Sequence, residues 1–231
     1  MVPANGRRGT AAQTSVGRNI FIFFIMKNFL LHSRHLLVAL SLLLAAPTLW
    51  SCSSDTTYTK RLREHENQLK VIDEDTIRNY LTRTGQLDKA VRTNSGLYVV
   101  PLIDGPANGT PVTAGKQVRV KYVGRFLSNG AHPGSAGYPA SGGNPNFPVG
   151  SIFDNSADNR TECECAIFTA GGGTVAGFGE GLLLMRKGDR KLLLVPSRLG
   201  YGPNGQTNQS GGTVIPMDAA LSFDVEVLDV Y

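Results

Sequence analysis

An α+β fold, built on a mostly antiparallel sheet, is what this sequence predicts, and three observations predict it. Beyond residue 94 apolar and polar residues alternate in long stretches, as on half-buried strands. A single short apolar helix pattern, Gly177 to Met185, interrupts them, and loops rich in Gly, Pro and Asn separate the strands. The chain has 231 residues, 41% of them hydrophobic, enough for one domain of ordinary size with attachments.

The N-terminal attachment is a leader. From Met26 the chain reads "MKNFLLHSRHLLVALSLLLAAPTLWSC": basic residues, an apolar run from Leu36 to Ala46, then small and polar residues. The run is short for a bilayer span, and its flanks are those of a secretory signal peptide. Leu49-Trp50-Ser51-Cys52 resembles a bacterial lipobox, in which cleavage leaves a lipidated cysteine, here Cys52, holding the protein to a membrane. A further apolar patch, "NIFIFFIM", precedes Met26; either Met26 is the true start, or the patch lengthens the segment into an uncleaved anchor. The domain plan is therefore a leader over 1–51, a tether and helical arm over 52–93, and a folded domain over 94–231.

In the middle segment, Asp73, Glu74 and Asp75 sit where a helix N-terminus favours negative charge, and Ile77, Tyr80 and Leu81 recur at i, i+3, i+4. A helix is predicted from about Asp73 to Thr84-Gly85, with the polar residues before it a solvated tether. One such helix cannot build a core alone, so it is a spacer, a packing arm or a dimerisation element.

The strands follow in order. "GLYVVPLI" opens, and "QVRVKYVGRF" places Val118, Val120 and Tyr122 on one face. "IFDNS" and "CAIFTA" are short strands, "RKLLLVP" is stopped by Pro196, and "AALSFDVEVLDV" closes with Leu221, Phe223, Val225 and Val227 on one face. The stretches 127–151 and 202–218 read as long loops without regular structure. About five strands and one helix across them complete the fold.

Charge and reactive groups exclude several functions. Of 23 basic side chains five lie in residues 1–51, which hold no acidic residue, so 18 remain against 18 acidic ones. The formal charge of +5 belongs to the leader, and nucleic acid is not an expected partner. Cys163 and Cys165 share a strand face at a spacing too long for an easy bridge, and are expected as plain strand residues. His65 and His132 are not spaced to complete a site with them, so no metal and no cofactor is expected. Gly171-Gly172-Gly173 lacks the Lys-Ser/Thr of a phosphate loop, and a lone His132 in a Gly/Pro loop cannot serve a Ser or Cys hydrolase.

From Gly96 to Tyr231 the order of motifs resembles the FKBP family of peptidyl-prolyl cis-trans isomerases. "VRVKYVGRF", "IFDNS", "TVAGFGEGLLLMRKGDR", "VPSRLGYG" and "VIPMDAALSFDVEVLDV" stand where that family has its V-x-Y-x-G strand, FDSS-like element, central helix and turn, AYG turn and closing strand. The resemblance implies an FKBP-like twisted antiparallel sheet wrapped on one short helix. It also implies a pocket lined by Tyr122, Phe153, Tyr201 and Phe223, with Phe178 at the floor, where the family usually has Trp. Thr174 and Val175 fall at the helix entry, where a backbone N–H grips a substrate carbonyl; Asp154 matches a pocket-edge Asp and Ile215 a wall residue. Phe153, Asp154 and Tyr201 are then the candidate catalytic set, and Tyr122, Thr174, Val175, Phe178, Ile215 and Phe223 the substrate-binding set. Expected partners are proline-containing polypeptides, macrolides of the FK506/rapamycin type and, through Cys52, a membrane of the bacterial cell envelope.

Such a site needs no nucleophile. Rotation about an X-Pro bond breaks no covalent bond; its barrier, roughly 18–20 kcal/mol, is lost amide resonance. A dry apolar pocket disfavours the charge-separated planar amide relative to the twisted one. The other reading is a binding module or chaperone that holds proline segments without turnover. At single positions, core packing for the aromatics and turn capping for Asp154 are the plain alternatives.

Overall fold

Alternation along the strands decides which residues form the core. The structure, a computed structural model, describes residues 56–231. The expected leader and Cys52, expected to carry the lipid, lie outside the described residues. Two helices are described, α1 (Thr57–Arg83) and α2 (Ala176–Leu183). The strands are β1 (Val91–Arg92), β2 (Tyr98–Ile103), β3 (Gln117–Phe126), β4 (Ala131–His132), β5 (Ser141–Gly142) and β6 (Ile152–Asn155). They continue with β7 (Ala166–Thr169), β8 (Arg190–Val195), β9 (Gln206–Thr207), β10 (Thr213–Ile215) and β11 (Leu221–Val230).

One antiparallel sheet runs β1-β2-β8-β11-β3-β6, with β7 also paired to β3. The ten-residue strands β3 and β11 lie side by side and form its spine. Both "IFDNS" and "CAIFTA" pair with β3, one with its C-terminal end and one with its N-terminal end. This split edge and the two-residue β1 bring the strand count to seven. On the inner face, Val118, Val120, Tyr122 and Phe126 of β3 join Leu221, Phe223, Val225 and Val227 of β11 in the main core. Helix α2 crosses this face through Phe178 and Leu182. The crossing is close: a Cβ on Gly181 would lie 2.3 Å from Leu193 Cδ1, so only glycine lets the backbone seat there.

Part of the outer face is buried as well, and α1 covers it. Tyr98, Val100, Leu192, Leu194 and Ala220 pack with Ile77 and Leu81 in a second core cluster. From Leu192 to Val195 strand β8 thus buries both sides, which is why it reads as an unbroken "LLLV" run where an alternating strand would show charges. The arm is a packing element, and among the described residues no helix is long and apolar enough to cross a membrane.

Four local expectations are corrected. Helix α1 begins at Thr57, capped by the Thr56 hydroxyl, rather than at Asp73; the tether between them is helical. Asp73 is buried, and its carboxylate accepts from the Ser197 N–H (2.8 Å) and hydroxyl (2.7 Å). Cys163 and Cys165 lie in a turn before β7 and are disulfide-bonded, because Glu164 takes φ 51° and draws their Cα atoms to 5.1 Å, shorter than an extended strand allows. The two long loops hold paired segments, the hairpins β4–β5 and β9–β10. His65 and His132, far apart in sequence, meet at Asp218.

Candidate active site

Strand β3 sets the site by its pleat. Tyr122 points inward and is 8% exposed; the Tyr122 ring meets Phe178 of α2 edge-on, with centroids 5.8 Å apart. Phe178, 3% exposed, meets Phe223 of β11 at 5.1 Å, and Phe223 meets Phe153 of β6 at 5.6 Å, both edge-on. Four of the predicted rings, from four separate elements, therefore form one continuous cluster. Edge-to-face contacts of this kind suit ring quadrupoles.

A glycine makes room for this. Gly124 follows Tyr122 on the same face of β3, and a Cβ there would lie 2.7 Å from Phe153 Cζ. Beside it the β3–β6 register shifts between Gly124 and Arg125. The irregularity lets consecutive residues serve one site: Phe153 reaches Phe126 and Phe223, while Asp154 reaches Tyr122.

The polar atoms sit at the edge of the cluster. The Tyr122 hydroxyl donates to Asp154 Oδ2 at 2.8 Å. Burial, reinforced by that bond and by the Asp154 charge, pushes the Tyr122 hydroxyl far above the usual phenol range, so it stays a donor. Tyr201, half-buried against the same core beside a 3-10 turn (Gly202–Asn204), is also pushed up, by burial and then by Asp154. Among the described residues its hydroxyl has no hydrogen-bond partner. Val175, half-buried, is the N-cap of α2; its own N–H precedes the helical ladder and likewise has no partner among the described residues. Thr174, beside it, turns its hydroxyl back toward the Val175 carbonyl at 3.5 Å. Ile215, 1% exposed, packs into the same core from β10.

Sequence reasoning passed over Phe168. It faces Val118 across the β3–β7 pair, with its ring 5.6 Å from Tyr122 and 5.2 Å from Phe178. Its signal was the alternation of "AIFT", in which Ala166 and Phe168 are the more buried members. Phe126 and Phe147 form an outer ring pair at 5.4 Å, through which the 127–151 loop rests on the cluster. The two long loops face each other across a cavity of about 280 Å³ bordered by Asn129, Asn144, Asn204, Thr213 and Ile215.

The arrangement joins a ring cluster, two free donors and one carboxylate, with no nucleophile–base pair within it. It suits a ligand with a flat apolar ring flanked by carbonyls.

Comparison with known proteins gives the family. Residues 109–228 match the family described as FKBP-type peptidyl-prolyl cis-trans isomerase. The chain is similar to an FK506-binding protein of Neisseria meningitidis serogroup B, 32% identical over 136 residues, which are 59% of this chain and 97% of that protein. It is also 41% identical over 85 residues to FK506-binding protein 2B of Rhizopus delemar, which span 36% of this chain and 37% of that protein. A crystal structure of a peptidyl-prolyl cis-trans isomerase from Pseudomonas syringae superposes on 70% of this chain and 95% of its own, with TM-score 0.47 and 20% identity.

Proposed function

The chain belongs to the FKBP-type peptidyl-prolyl cis-trans isomerase family, and from that premise we propose that it accelerates rotation about X-Pro bonds in exported or envelope proteins while held to a membrane by lipid on Cys52. The observation that carries the catalytic reading is the cluster of Tyr122, Phe153, Phe178 and Phe223, with Phe168 behind it, beside two unengaged donors.

A proline ring lies on Phe178, framed by Tyr122, Phe153 and Phe223. The Val175 N–H and the Tyr201 hydroxyl donate to the substrate carbonyls on either side and hold the flanking chain while the amide turns. The planar amide owes part of its stability to charge separation that water solvates. In a pocket that withholds water the planar form loses that solvation, and the twisted form, less polar, loses less. Asp154 holds the Tyr122 hydroxyl and adds a negative charge beside Tyr201. Uncatalysed isomerisation takes tens of seconds, slow enough to limit the folding of an exported chain.

The lipid anchor is supported by the order of basic residues, apolar run and Leu49-Trp50-Ser51-Cys52. Relatives named as FK506-binding proteins extend the ligand set to macrolides; Phe178 offers these no indole N–H and a smaller floor, so weak macrolide binding follows.

A protease-coupled proline-peptide assay tests the catalytic reading. The purified chain isomerises faster than its Tyr201→Ala and Phe153→Ala variants. Equal rates for all three leave a proline-segment binding module instead. Mass spectrometry of the mature N-terminus tests the anchor: an unmodified residue other than Cys52 there removes it.

A further inference from the structure

Away from the aromatic cluster, three segments distant in sequence converge on one buried carboxylate. His65 comes from the middle of α1, His132 from β4, and Asp218 from the link between β10 and β11. Their side chains are 1%, 7% and 4% exposed. His65 Nε2 lies 2.8 Å and His132 Nε2 3.4 Å from the same oxygen, Asp218 Oδ2.

Proton counting shows why this is not an ordinary hydrogen-bonded trio. His132 Nδ1 lies 2.9 Å from the Pro133 carbonyl, which can only accept, so Nδ1 carries that ring's proton. Neutral His132 then turns the bare lone pair of Nε2 toward a carboxylate oxygen. If His65 Nε2 donates to that oxygen, its Nδ1 is left as a buried acceptor, and Nδ1 has no partner. Asp218 Oδ1 is buried without a partner too. A bare lone pair facing a carboxylate, with the second carboxylate oxygen buried and unpartnered beside it, suits a cation.

We propose that His65, His132 and Asp218 form a binding site for a zinc-class divalent metal ion, which fastens the α1 arm to the isomerase domain. The ligand atoms all lie within 4.8 Å of one another. Bonds of about 2.0–2.1 Å in a tetrahedral site put ligand atoms roughly 3.3 Å apart, and the two nitrogen–oxygen distances bracket that value. Two imidazoles and one carboxylate favour zinc, copper or nickel over calcium or magnesium, which prefer all-oxygen shells. The Pro133 carbonyl fixes the His132 tautomer that leaves Nε2 free to bind. Tyr138, from the β4–β5 hairpin, stacks on His65 at 4.1 Å with planes 8° apart and holds that ring in place. Three protein ligands leave a fourth position for water.

The link reaches toward the isomerase site. The Asp218 N–H donates to the Gly202 carbonyl at 2.9 Å, next to Tyr201, and β10 carries Ile215. A bound ion thus ties the arm and the long 127–151 loop to the turn that presents Tyr201.

Zinc(II) is the probe. Tag-free full-length protein, stripped with a chelator, is expected to take up one zinc per chain by calorimetry and elemental analysis. At a hundredfold excess over the dissociation constant its melting temperature rises by about 5–10 °C. His132→Ala, at the loop side of the site, loses at least nine-tenths of the uptake and all of the thermal shift, with the circular dichroism spectrum unchanged; it also subtracts any binding by His32 and His35 of the leader. Should His132→Ala fail to fold, cobalt(II) added to the wild type decides alone: strong visible bands of a four-coordinate site, displaced by zinc, are expected. Wild-type uptake equal to that of His132→Ala overturns the proposal, as does a cobalt spectrum no stronger than that of the hydrated ion. Either result leaves the cluster as an imidazolium–carboxylate contact only.

Discussion

Asp154 acts through a neighbour, and that makes its contribution separable. Its carboxylate receives the Tyr122 hydroxyl, so removing either partner breaks the same bond. Tyr122→Phe and Asp154→Ala are each expected to leave the fold intact and lower kcat/KM by about 3–10-fold, the size of one hydrogen bond. The double variant should lose little more than either single one, because the two groups act as a unit. Full additivity in the proline-peptide assay would show that they act independently. Gly124 makes a different prediction. The methyl of Gly124→Ala has no space beside Phe153, so the ring must move, at about 1–3 kcal/mol in stability. Activity falls more than tenfold because the ring moves out of the cluster; urea denaturation alongside the assay separates the two effects. At this scale the sequence was informative wherever a motif fixes a residue's neighbours: Tyr122, Phe153, Phe178 and Phe223 do share one cluster. Phe168 escaped because its four-residue strand is too short for alternation to stand out.

Helix α1 shows how polar residues hide an element. Its buried positions are His65, Leu69, Asp73, Ile77 and Leu81, one every fourth residue along a single stripe. Two of the five are polar, so an apolar pattern is visible only at the C-terminal end, and the acidic run at 73–75 imitates a helix start. Each polar member faces a polar partner, His65 at Asp218 and Asp73 at Ser197, and such pairing is readable only in three dimensions. The apolar members anchor the arm: Ile77→Ala should cost about 2–4 kcal/mol in urea denaturation, since the site lies under the helix with no exposure. Asp73 adds a pH dependence. Burial pushes the Asp73 carboxyl up to about 6; hydrogen bonds from Ser197 oppose this, Asp218 adds to it and Arg198 counters it. The folded chain therefore holds this proton more tightly than the unfolded chain, whose value is near 3.8. The stabilisation is fully present below the unfolded value and is lost as pH rises through about 6. In chelator-treated protein Asp73→Asn, which still accepts from Ser197, should remove this part of the slope and be more stable than wild type at neutral pH by about 1–3 kcal/mol. Parallel slopes for both proteins would show that Asp73 does not titrate in this window.

At the scale of the molecule, the sheet works with two faces, and only one of them carries the proposed chemistry. The inner face holds α2 and the ring cluster; the outer face, with Tyr98, Val100, Leu192 and Leu194, is closed by α1. Motif order made the inner face legible, because the motifs place residues that pack together on it. The outer face left a weaker trace, the consecutive apolar residues of β8, and nothing in a run of leucines says which element covers it. The family match begins at residue 109 and does not include the arm. A chain beginning at Asn94 therefore separates the two faces. It keeps every residue of the ring cluster but exposes the outer apolar set, a loss of about 3–6 kcal/mol at roughly 1.5–3 kcal/mol for each large side chain, reduced by partial relaxation. The truncated chain should unfold at much lower urea and bind a hydrophobic dye, yet retain proline-peptide turnover per folded molecule at low temperature. Unchanged stability would mean that α1 rests on the sheet without supporting it. Lost turnover in a folded truncated chain would mean that the arm shapes the pocket through the sheet, and the two faces could no longer be treated as separate.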